Sequence, residues 1–349
     1  MCASKFDTFP KTIRAISNKI IPISIIKPYI EKNLIFSPEV SLIYSSGHII
    51  FNKKYPWVVD LEFVTHFSGY DIKSFLRYKK YIQECLESEN CKRILPWTKA
   101  GSRTVELSFS SDKIYDKIQT VYLSVPPKKF IKNHNSDIIR LLFVGSQNFP
   151  KDFEIKGGKE VFEAFKILRK KYDNIQLLVR SFVPIMIKEK YKKCPNIIII
   201  DYTVSGETLD LLFKSADIFV FPSHNTPGLV ILDAMSYELP IVTTNVWGNS
   251  EMVTDSVNGF LVEKSVEIDY YSDNFIPKWG SGEFLNKLKK DLDSKVVDEI
   301  VKKTGILIDD EKLRRRMGKA GRHDIEQGKF SITNRNIKLK RIFDEAIGQ

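Results

Sequence analysis

Residues 216–235 read ADIFVFPSHNTPGLVILDAM. The apolar run 217–221 predicts a strand, the stretch 222–228 with its Pro and Gly residues predicts a loop, and the apolar residues that follow predict a helix. In parallel α/β domains such a unit presents backbone N–H groups and the positive end of a helix dipole to an anionic ligand. The segment therefore predicts a nucleotide or phosphate site.

The pattern on both sides of this segment alternates between strand and helix from residue 139 onward. Residues 157–172 predict a helix with one apolar face, and the short runs around it are rich in Ile, Val and Leu. Continuous apolar runs are typical of parallel strands that are covered on both faces. The predicted strands are 141–146, 175–180, 196–200, 217–221, 241–244 and 259–262.

The first part of the chain predicts a second, less regular α/β region, since 349 residues exceed the size at which one core usually keeps growing. Its predicted strands are 41–46, 57–62, 93–98 and 119–124, and its predicted helix is 75–88. Adjacent Pro126 and Pro127 cannot continue a regular element and favour a linker. We expect an N-terminal domain over 1–131, a C-terminal domain over 132–330, and a C-terminal helix in 331–349 that crosses back to the first domain.

Composition narrows the class of protein. The net charge of +11 fits an anionic ligand, but no zinc-finger or RRM signature accompanies it, so we expect no nucleic-acid partner. The four cysteines form no CxxC pair and are expected to be reduced thiols. No apolar run reaches the length of a membrane span, and residues 1–10 have no signal-peptide pattern, which predicts a cytoplasmic protein.

Several ordered segments carry a resemblance to a known family. They are FVG at 143–145, KGG at 156–158, ADIFVFPS at 216–223, PGLVILDAM at 227–235, LPIV at 239–242 and NGFLV at 258–262. This ordered set resembles glycosyltransferase family 4, whose members are retaining enzymes that use sugar nucleotides. The resemblance implies the GT-B architecture, in which two Rossmann-like α/β domains face one another across a cleft.

The resemblance also implies roles for residues of the donor site. The family carries two glutamates eight residues apart, one toward the donor sugar and one toward the ribose, and this chain has Asn225 and Asp233 in their places. Either residue is also a common helix cap. Ser146 stands where the family has a diphosphate-binding Arg, whereas Lys156 matches its partner Lys. Lys151 and Arg180 are alternative replacements for the missing cation.

Further donor-side residues lie at turns of the same domain. A glycine lets the backbone approach a phosphate closely, although turn glycines are common for other reasons. Trp247 either stacks on the donor or fills the edge of the core. The remaining donor-side candidates are Gly145, Gly157, Gly228, Leu229, Gly248 and Glu251. Fixed cations and helix dipoles neutralise a leaving diphosphate without a metal, so we expect no metal cofactor.

The acceptor is expected to bind the N-terminal domain. Residues 57–62 predict an apolar strand that ends in carboxylates, as strands do at a cleft. In family 4 enzymes a His or acidic residue near this strand end lies by the reacting sugar, so the resemblance implies Asp60, Glu62 and His66 as candidates to orient or deprotonate an acceptor hydroxyl. Glu62 is the first choice. Residues 10–36 mix isoleucines with five cations, which fits either a peripheral membrane contact or packing against the domain.

The sequence thus predicts transfer of a hexose from a nucleoside diphosphate sugar to a hydroxyl of a glycan or lipid-linked acceptor, with retention. Two alternatives share the predicted donor pocket. A GT-B epimerase or hydrolase would need no glycosyl acceptor. A catalytically silent sugar-nucleotide-binding protein would fit the replacement of two family residues by Asn225 and Ser146.

Overall fold

The computed structural model describes residues 40–50, 54–130, 132, 137–147, 149, 151–226, 228–290 and 292–348. The chain divides into two compact units. The first unit takes the described residues up to Tyr122 together with 273–276 and the chain from Asn336 onward, and the second unit takes Leu123–Ser272 and Pro277–Arg335.

The first unit is built on a parallel three-stranded sheet of order β1-β2-β3. The central strand β2 is buried along its whole length, as its apolar run predicts. A short 3-10 helix, Val64–Ser68, follows it. The other elements are β1 (Ile43–Ser46), β2 (Trp57–Leu61), α1 (Ile72–Glu87), β3 (Cys91–Pro96), α2 (Lys99–Ser108) and α3 (Asp112–Tyr115).

Residues 119–124 do not form the regular strand that the sequence predicts. The segment runs beside β3, and the N–H groups of Gln119 and Val121 donate to the carbonyls of Ile94 and Pro96 at 2.9 Å each. Pro96 has no N–H group, so β3 cannot return the next bond of a parallel ladder. The pairing is therefore reduced to an isolated bridge between Ile94 and Ile118.

The C-terminal helix α13 (Ile332–Ile347) covers one face of this sheet through its later turns. Leu339 and Ile342 belong to the same buried cluster as Val58 of β2 and Leu95 of β3. Burial of such side chains stabilises the contact by roughly 1.5–3 kcal/mol each.

The second unit contains a parallel six-stranded sheet of order β6-β5-β4-β7-β8-β9. This is the doubly wound order, in which the chain starts at the centre, proceeds to one edge and then reverses from the centre to the other. Its elements are β4 (Ile139–Val144), α4 (Asp152–Ile155), α5 (Gly158–Leu168), β5 (Ile175–Arg180), α6 (Ile185–Tyr191), β6 (Ile197–Ile200), α7 (Gly206–Ser215), β7 (Ile218–Phe221), α8 (Leu229–Ser236), β8 (Ile241–Thr244), α9 (Asn249–Met252), β9 (Gly259–Val262), α10 (Gly282–Lys290), α11 (Ser294–Asp309) and α12 (Glu311–Glu326).

The topological switch point of this sheet lies between β4 and β7. Ligands of open α/β sheets bind outside the carboxyl ends of the strands at such a point, because the loops from the two central strands diverge there. The fold therefore predicts a ligand site at the loops that begin at Gly145 and Pro222.

The sequence raised two expectations about membranes, one for the basic segment 10–36 and one for membrane-spanning helices. The basic segment 10–36 lies outside the described residues. Within the part of the chain that the structure describes, none of the helices combines the length and the apolarity needed to cross a bilayer.

Candidate functional site

The first central loop leaves β4 at Gly145, next to the end of β5. Arg180 Nη1 donates to the Gly145 carbonyl oxygen at 3.0 Å, and the Gly145 N–H donates to the Arg180 carbonyl at 2.8 Å. A Cβ at position 145 would lie 2.4 Å from Ser181 Oγ, so the position requires glycine. The Arg180 Nε is buried without an acceptor among the described residues, and burial lowers the pKa of the guanidinium.

The second central loop, 222–226, packs against the turn between α4 and α5. Gly157 has φ of +79°, and a Cβ there would lie 2.3 Å from the Pro222 carbonyl oxygen. The His224 N–H donates to the Ile155 carbonyl at 2.8 Å. Gly157 is needed for both its left-handed backbone and this close approach.

Lys156 and Asn225 meet at this contact. Lys156 Nζ donates to Asn225 Oδ1 at 2.7 Å and to the Thr226 carbonyl at 3.0 Å. Ser223 Oγ donates to the same Asn225 oxygen at 2.9 Å. A lysine ammonium is a donor only, so the contact fixes which end of the amide faces it. Asn225 therefore turns its oxygen inward and has its Nδ2 group left to offer a ligand.

The helix that follows the loop begins at Leu229, and its cap is Gly228 with φ of +64° and no side-chain bond to the first turn. Asn225 is thus not a helix cap, and Asp233 lies inside the helix. The Asp233 carboxylate is half-buried, and no hydrogen bond from the described residues reaches it. Burial raises the pKa of Asp233, Lys128 lowers it, and Asp210 raises it further.

The loop after β8 holds Gly248 and Glu251. Gly248 precedes the single turn of α9 with φ of −82°, an ordinary value for any residue. The Glu251 carbonyl accepts a hydrogen bond from Lys329 Nζ. Trp247 is buried and packs edge-on against Trp279 at 5.2 Å between ring centroids, so it fills the core edge.

The acceptor-side candidates of the first unit come together at the carboxyl end of β2. Asp60 is 7% exposed; its Oδ2 accepts a hydrogen bond from the Tyr44 hydroxyl, and its Oδ1 has no partner among the described residues. The Glu62 N–H donates to His66 Nδ1 at 3.4 Å. Burial raises the pKa of Tyr70, and the charge of Glu62 and a hydrogen bond from the Tyr70 hydroxyl to its carboxylate raise it further.

His66 lies among rings. It stacks on Tyr70 at 4.6 Å and meets Trp97 edge-on at 5.7 Å between centroids. Burial and the neighbouring His48 lower the pKa of His66 to about 4, against an opposing contribution from Asp60. The imidazole is therefore neutral near pH 7, and its Nδ1 accepts the hydrogen bond from the Glu62 N–H.

Among the residues that the structure describes, no group of three or more His, Cys, Asp or Glu side chains is arranged to hold a metal ion. Asp293 and Asp310 cap α11 and α12 through their carboxylates instead.

Part of the second unit is similar to a known protein family. Residues 139–271 match the model of the family described as Glycosyl transferases group 1. This part of the chain is therefore similar to group 1 glycosyltransferases. The matched residues span the sheet of the second unit from β4 to β9 and include all of the donor-side candidates.

Two curated relatives align with parts of the chain. An uncharacterized glycosyltransferase of Methanocaldococcus jannaschii is 39% identical over 106 residues, which are 29% of this chain and 27% of the relative. The capsular polysaccharide biosynthesis glycosyltransferase CapM of Staphylococcus aureus is 30% identical over 183 residues, 50% of this chain and 39% of the relative. The chain thus spans less than half the length of these curated relatives.

Solved structures extend the similarity to the whole fold. Sucrose-phosphate synthase of Thermosynechococcus elongatus has a TM-score of 0.66 at 14% identity, over 100% of this chain and 82% of that one. A structure of S. aureus TarM in complex with UDP has a TM-score of 0.61 at 16% identity, over 92% of this chain and 59% of that one. The chain has an α/β fold with parallel sheets that matches GT-B glycosyltransferase structures.

Sequence reasoning missed three residues that support the loop 222–226. His224 and Glu160 are buried and bonded to one another, and Tyr270 bonds to His224. The available signal was a histidine directly beside Asn225 in a loop that otherwise predicts a ligand site. Glu160 gave no signal, because a glutamate in the first turn of a helix is usually exposed.

Proposed function

We propose that this protein is a retaining glycosyltransferase that moves a hexose from a nucleoside diphosphate sugar to a hydroxyl of a glycan or lipid-linked acceptor. The observation that carries the proposal is the pairing of Lys156 with Asn225 where the loops of the two central strands meet. In the proposal the second unit binds the donor and the first unit binds the acceptor.

Asp233 is assigned to the ribose. A half-buried carboxylate without a hydrogen-bond donor is costly, and two ribose hydroxyls would supply donors. Burial raises the pKa of Asp233 despite the opposing charge of Lys128, and hydrogen bonds from ribose hydroxyls would favour its ionised form. The carboxylate then discriminates ribose from deoxyribose.

Lys156 and Arg180 are assigned to the diphosphate. Arg180 lies at the Gly145 turn, and its buried Nε has no acceptor among the described residues, a bond that a phosphate oxygen would provide. It therefore replaces the family's Arg better than Lys151, which is exposed at the start of α4. The backbone at Gly228 and Leu229 adds the N-terminal dipole of α8.

Asn225, Gly248 and Glu251 are assigned to the donor sugar. Asn225 offers N–H donors where the family's glutamate offers a carboxylate, so it orients hydroxyls and does not stabilise positive charge on the sugar. Leaving-group neutralisation by Lys156 and Arg180 then carries the electrostatic part of catalysis.

The first unit supplies the groups for the acceptor. The bond between the anomeric carbon and the diphosphate oxygen breaks, the bond to the acceptor oxygen forms, and the acceptor proton passes to Glu62. Asp60 and His66 orient the acceptor hydroxyl, His66 as a neutral hydrogen-bonding group. No metal takes part in this scheme, so turnover is expected to survive a chelator.

A panel of UDP-, GDP- and ADP-sugars tests the proposal. Release of nucleoside diphosphate is measured with and without oligosaccharide and lipid-linked acceptors, starting from UDP-sugars because TarM was solved with UDP. Acceptor-dependent release is expected, with NMR showing that the anomeric configuration is kept. Release without an acceptor would indicate a hydrolase, binding without release would indicate a silent binder, and inversion would contradict retention.

We further propose a cytoplasmic location, with peripheral contact to the membrane through the basic segment 10–36 as the alternative. Sedimentation of the full chain with vesicles of phosphatidylcholine, with and without phosphatidylserine, separates the two. Salt-sensitive binding only to the anionic vesicles would favour the membrane contact.

A further inference from the structure

The loop between β9 and α10 contains two consecutive tyrosines that the scheme above does not use. Tyr270 is 2% exposed, and Tyr271 is partly buried. The Lys264 ammonium lies over both rings, at 5.5 Å from the centroid of Tyr270 and 5.1 Å from that of Tyr271. A cation over the face of an aromatic ring is attracted to it, which favours these positions of the two rings.

Tyr270 supports the loop after β7 through His224. Its hydroxyl lies 2.9 Å from His224 Nδ1, while His224 Nε2 lies 3.1 Å from Glu160 Oε1 on α5. His224 is 1% exposed and Glu160 4% exposed, so water does not compete for these bonds. Both ring nitrogens of the residue beside Asn225 are thereby held.

The two contacts of His224 use both nitrogens of its ring. Burial and the neighbouring Glu160 raise the pKa of Tyr270, so its hydroxyl keeps its proton near neutral pH and remains able to form the bond with Nδ1. Tyr270 on one side and Glu160 on the other therefore fix the rotation of the imidazole ring.

Tyr271 supports the loop after β8. Its hydroxyl accepts a hydrogen bond from the Trp247 N–H at 2.9 Å. Trp247 has φ of +53°, a left-handed conformation that is strained for a tryptophan and persists only where surroundings hold it. The held peptide directly precedes Gly248.

We propose that Tyr270 and Tyr271 are positioning residues that hold the loops after β7 and β8 in register and so set the affinity for the sugar nucleotide. The inference rests on the proposed function, because it takes these two loops to bind the donor. One dipeptide fixes both because β7 and β8 are adjacent parallel strands whose carboxyl ends share one edge of the sheet. Neither tyrosine contacts the reacting atoms.

The test compares Tyr270→Phe and Tyr271→Phe with Tyr191→Phe. Tyr191 is the control, since it lies buried in the second unit and its hydroxyl also makes a hydrogen bond, in this case to the Glu163 carboxylate and outside the two loops. Amide hydrogen exchange is measured over 223–226 and 247–250 in the unliganded full chain. Donor affinity is measured on UDP-glucose, GDP-mannose and ADP-glucose, and thermal unfolding gives the midpoint of each variant.

Tyr270→Phe is expected to speed exchange over 223–226, Tyr271→Phe over 247–250, and each to weaken donor binding roughly three- to tenfold, the effect of one lost hydrogen bond. Tyr191→Phe is expected to change neither, although all three lower the unfolding midpoint alike. Glu160→Gln keeps an acceptor for Nε2 and is expected to exchange like the parent, whereas Glu160→Ala behaves like Tyr270→Phe.

The inference is wrong if both tyrosine variants exchange the amide hydrogens of the two loops at the same rate as the parent. Faster exchange with unchanged donor affinity would also overturn it, since the loops would then not set affinity. If the parent protein binds none of the three sugar nucleotides, the proposed function is wrong. Faster exchange in the tyrosine variants would in that case still show that the two tyrosines support the loops.

Discussion

The carboxyl ends of β7 in the second unit and of β2 in the first carry opposite kinds of side chain. Around the end of β7 lie Lys156 and the uncharged Asn225, and Arg180 lies at the end of β5, on the other side of β4. Around the end of β2 lie the carboxylates of Asp60 and Glu62, with a neutral His66 beside them. Both ends follow an apolar buried strand in a parallel sheet, so the strands do not cause the difference.

The difference matches the two halves of glycosyl transfer. A leaving nucleoside diphosphate gains negative charge, which fixed cations stabilise. An acceptor hydroxyl must lose a proton, which a carboxylate accepts. The same strand-end geometry thus holds a cationic site and an anionic site, and four predictions test whether the two sites divide the reaction in this way.

The largest effect is expected for Glu62→Gln. Removal of a general base lowers kcat by about 10²- to 10⁴-fold, while the affinity for the donor stays at the parent's value. Steady-state kinetics and calorimetry with the donor measure the two quantities. Glu84→Gln, an exposed glutamate on α1 of the same unit, is the control. An unchanged kcat with weakened donor binding would reverse the division between the two sites.

The second prediction concerns the protonation of His66. Its pKa of about 4 in the folded protein lies below the unfolded value of 6.5, so the unfolded chain takes up a proton first as the pH falls. His66 contributes stability that is present above pH 6.5 and is lost between 6.5 and 4, up to about 3 kcal/mol. Urea unfolding at several pH values should show this loss in the parent and a smaller one in His66→Gln. If NMR instead gives His66 a pKa near 6.5, the imidazole is partly protonated near neutral pH and offsets part of the negative charge at the end of β2.

The third prediction concerns the cations. Lys156→Ala is expected to weaken binding of UDP by about ten- to a hundredfold, because a hydrogen bond to a charged group is lost and Asn225 loses its tether. Arg180→Ala should weaken it by a similar factor. Lys151→Ala is the matched control for one lost positive charge and should leave affinity within twofold. If only the Lys151 variant loses much of its affinity for UDP, Lys151 and not Lys156 or Arg180 binds the diphosphate.

The smallest effect is expected for Asp233→Asn, which keeps the shape of the side chain. Affinity for UDP should fall roughly tenfold. Affinities for 2′-deoxy-UDP and 3′-deoxy-UDP separate the two ribose hydroxyls by calorimetry. The parent should discriminate against at least one deoxy compound, and the variant should do so less. Equal losses for all three nucleotides would remove Asp233 from the ribose and point to a structural role in α8.

Much of the second unit was predictable because its strands are continuous apolar runs. All six predicted strands form, with ends that differ by at most two residues. The first unit was less predictable, and the failure at 119–124 has a local cause: the sequence pattern is that of a strand, but the partner strand offers Pro96 where an N–H was needed. Strand pairing depends on the neighbour, which periodicity along one segment does not contain.

The candidate site divides in the same way. Gly157 and Lys156 could be singled out because the KGG segment at 156–158 is one of the ordered segments that resemble the family. The bond from Lys156 to Asn225 could not, since 69 residues separate its partners. The support of His224 by Glu160 and Tyr270 was equally invisible, because these partners lie 64 and 46 residues away in the chain.

The sequence by itself determined the strand and helix order, the loops that follow β4 and β7, and the residue types available in them, because these depend on neighbours along the chain. Only the tertiary structure decided which way the Asn225 amide faces and that His66 is neutral, and only it gives Tyr270 and Tyr271 a role. Those properties depend on burial and on hydrogen bonds between distant segments, which exist only once the sheet has assembled.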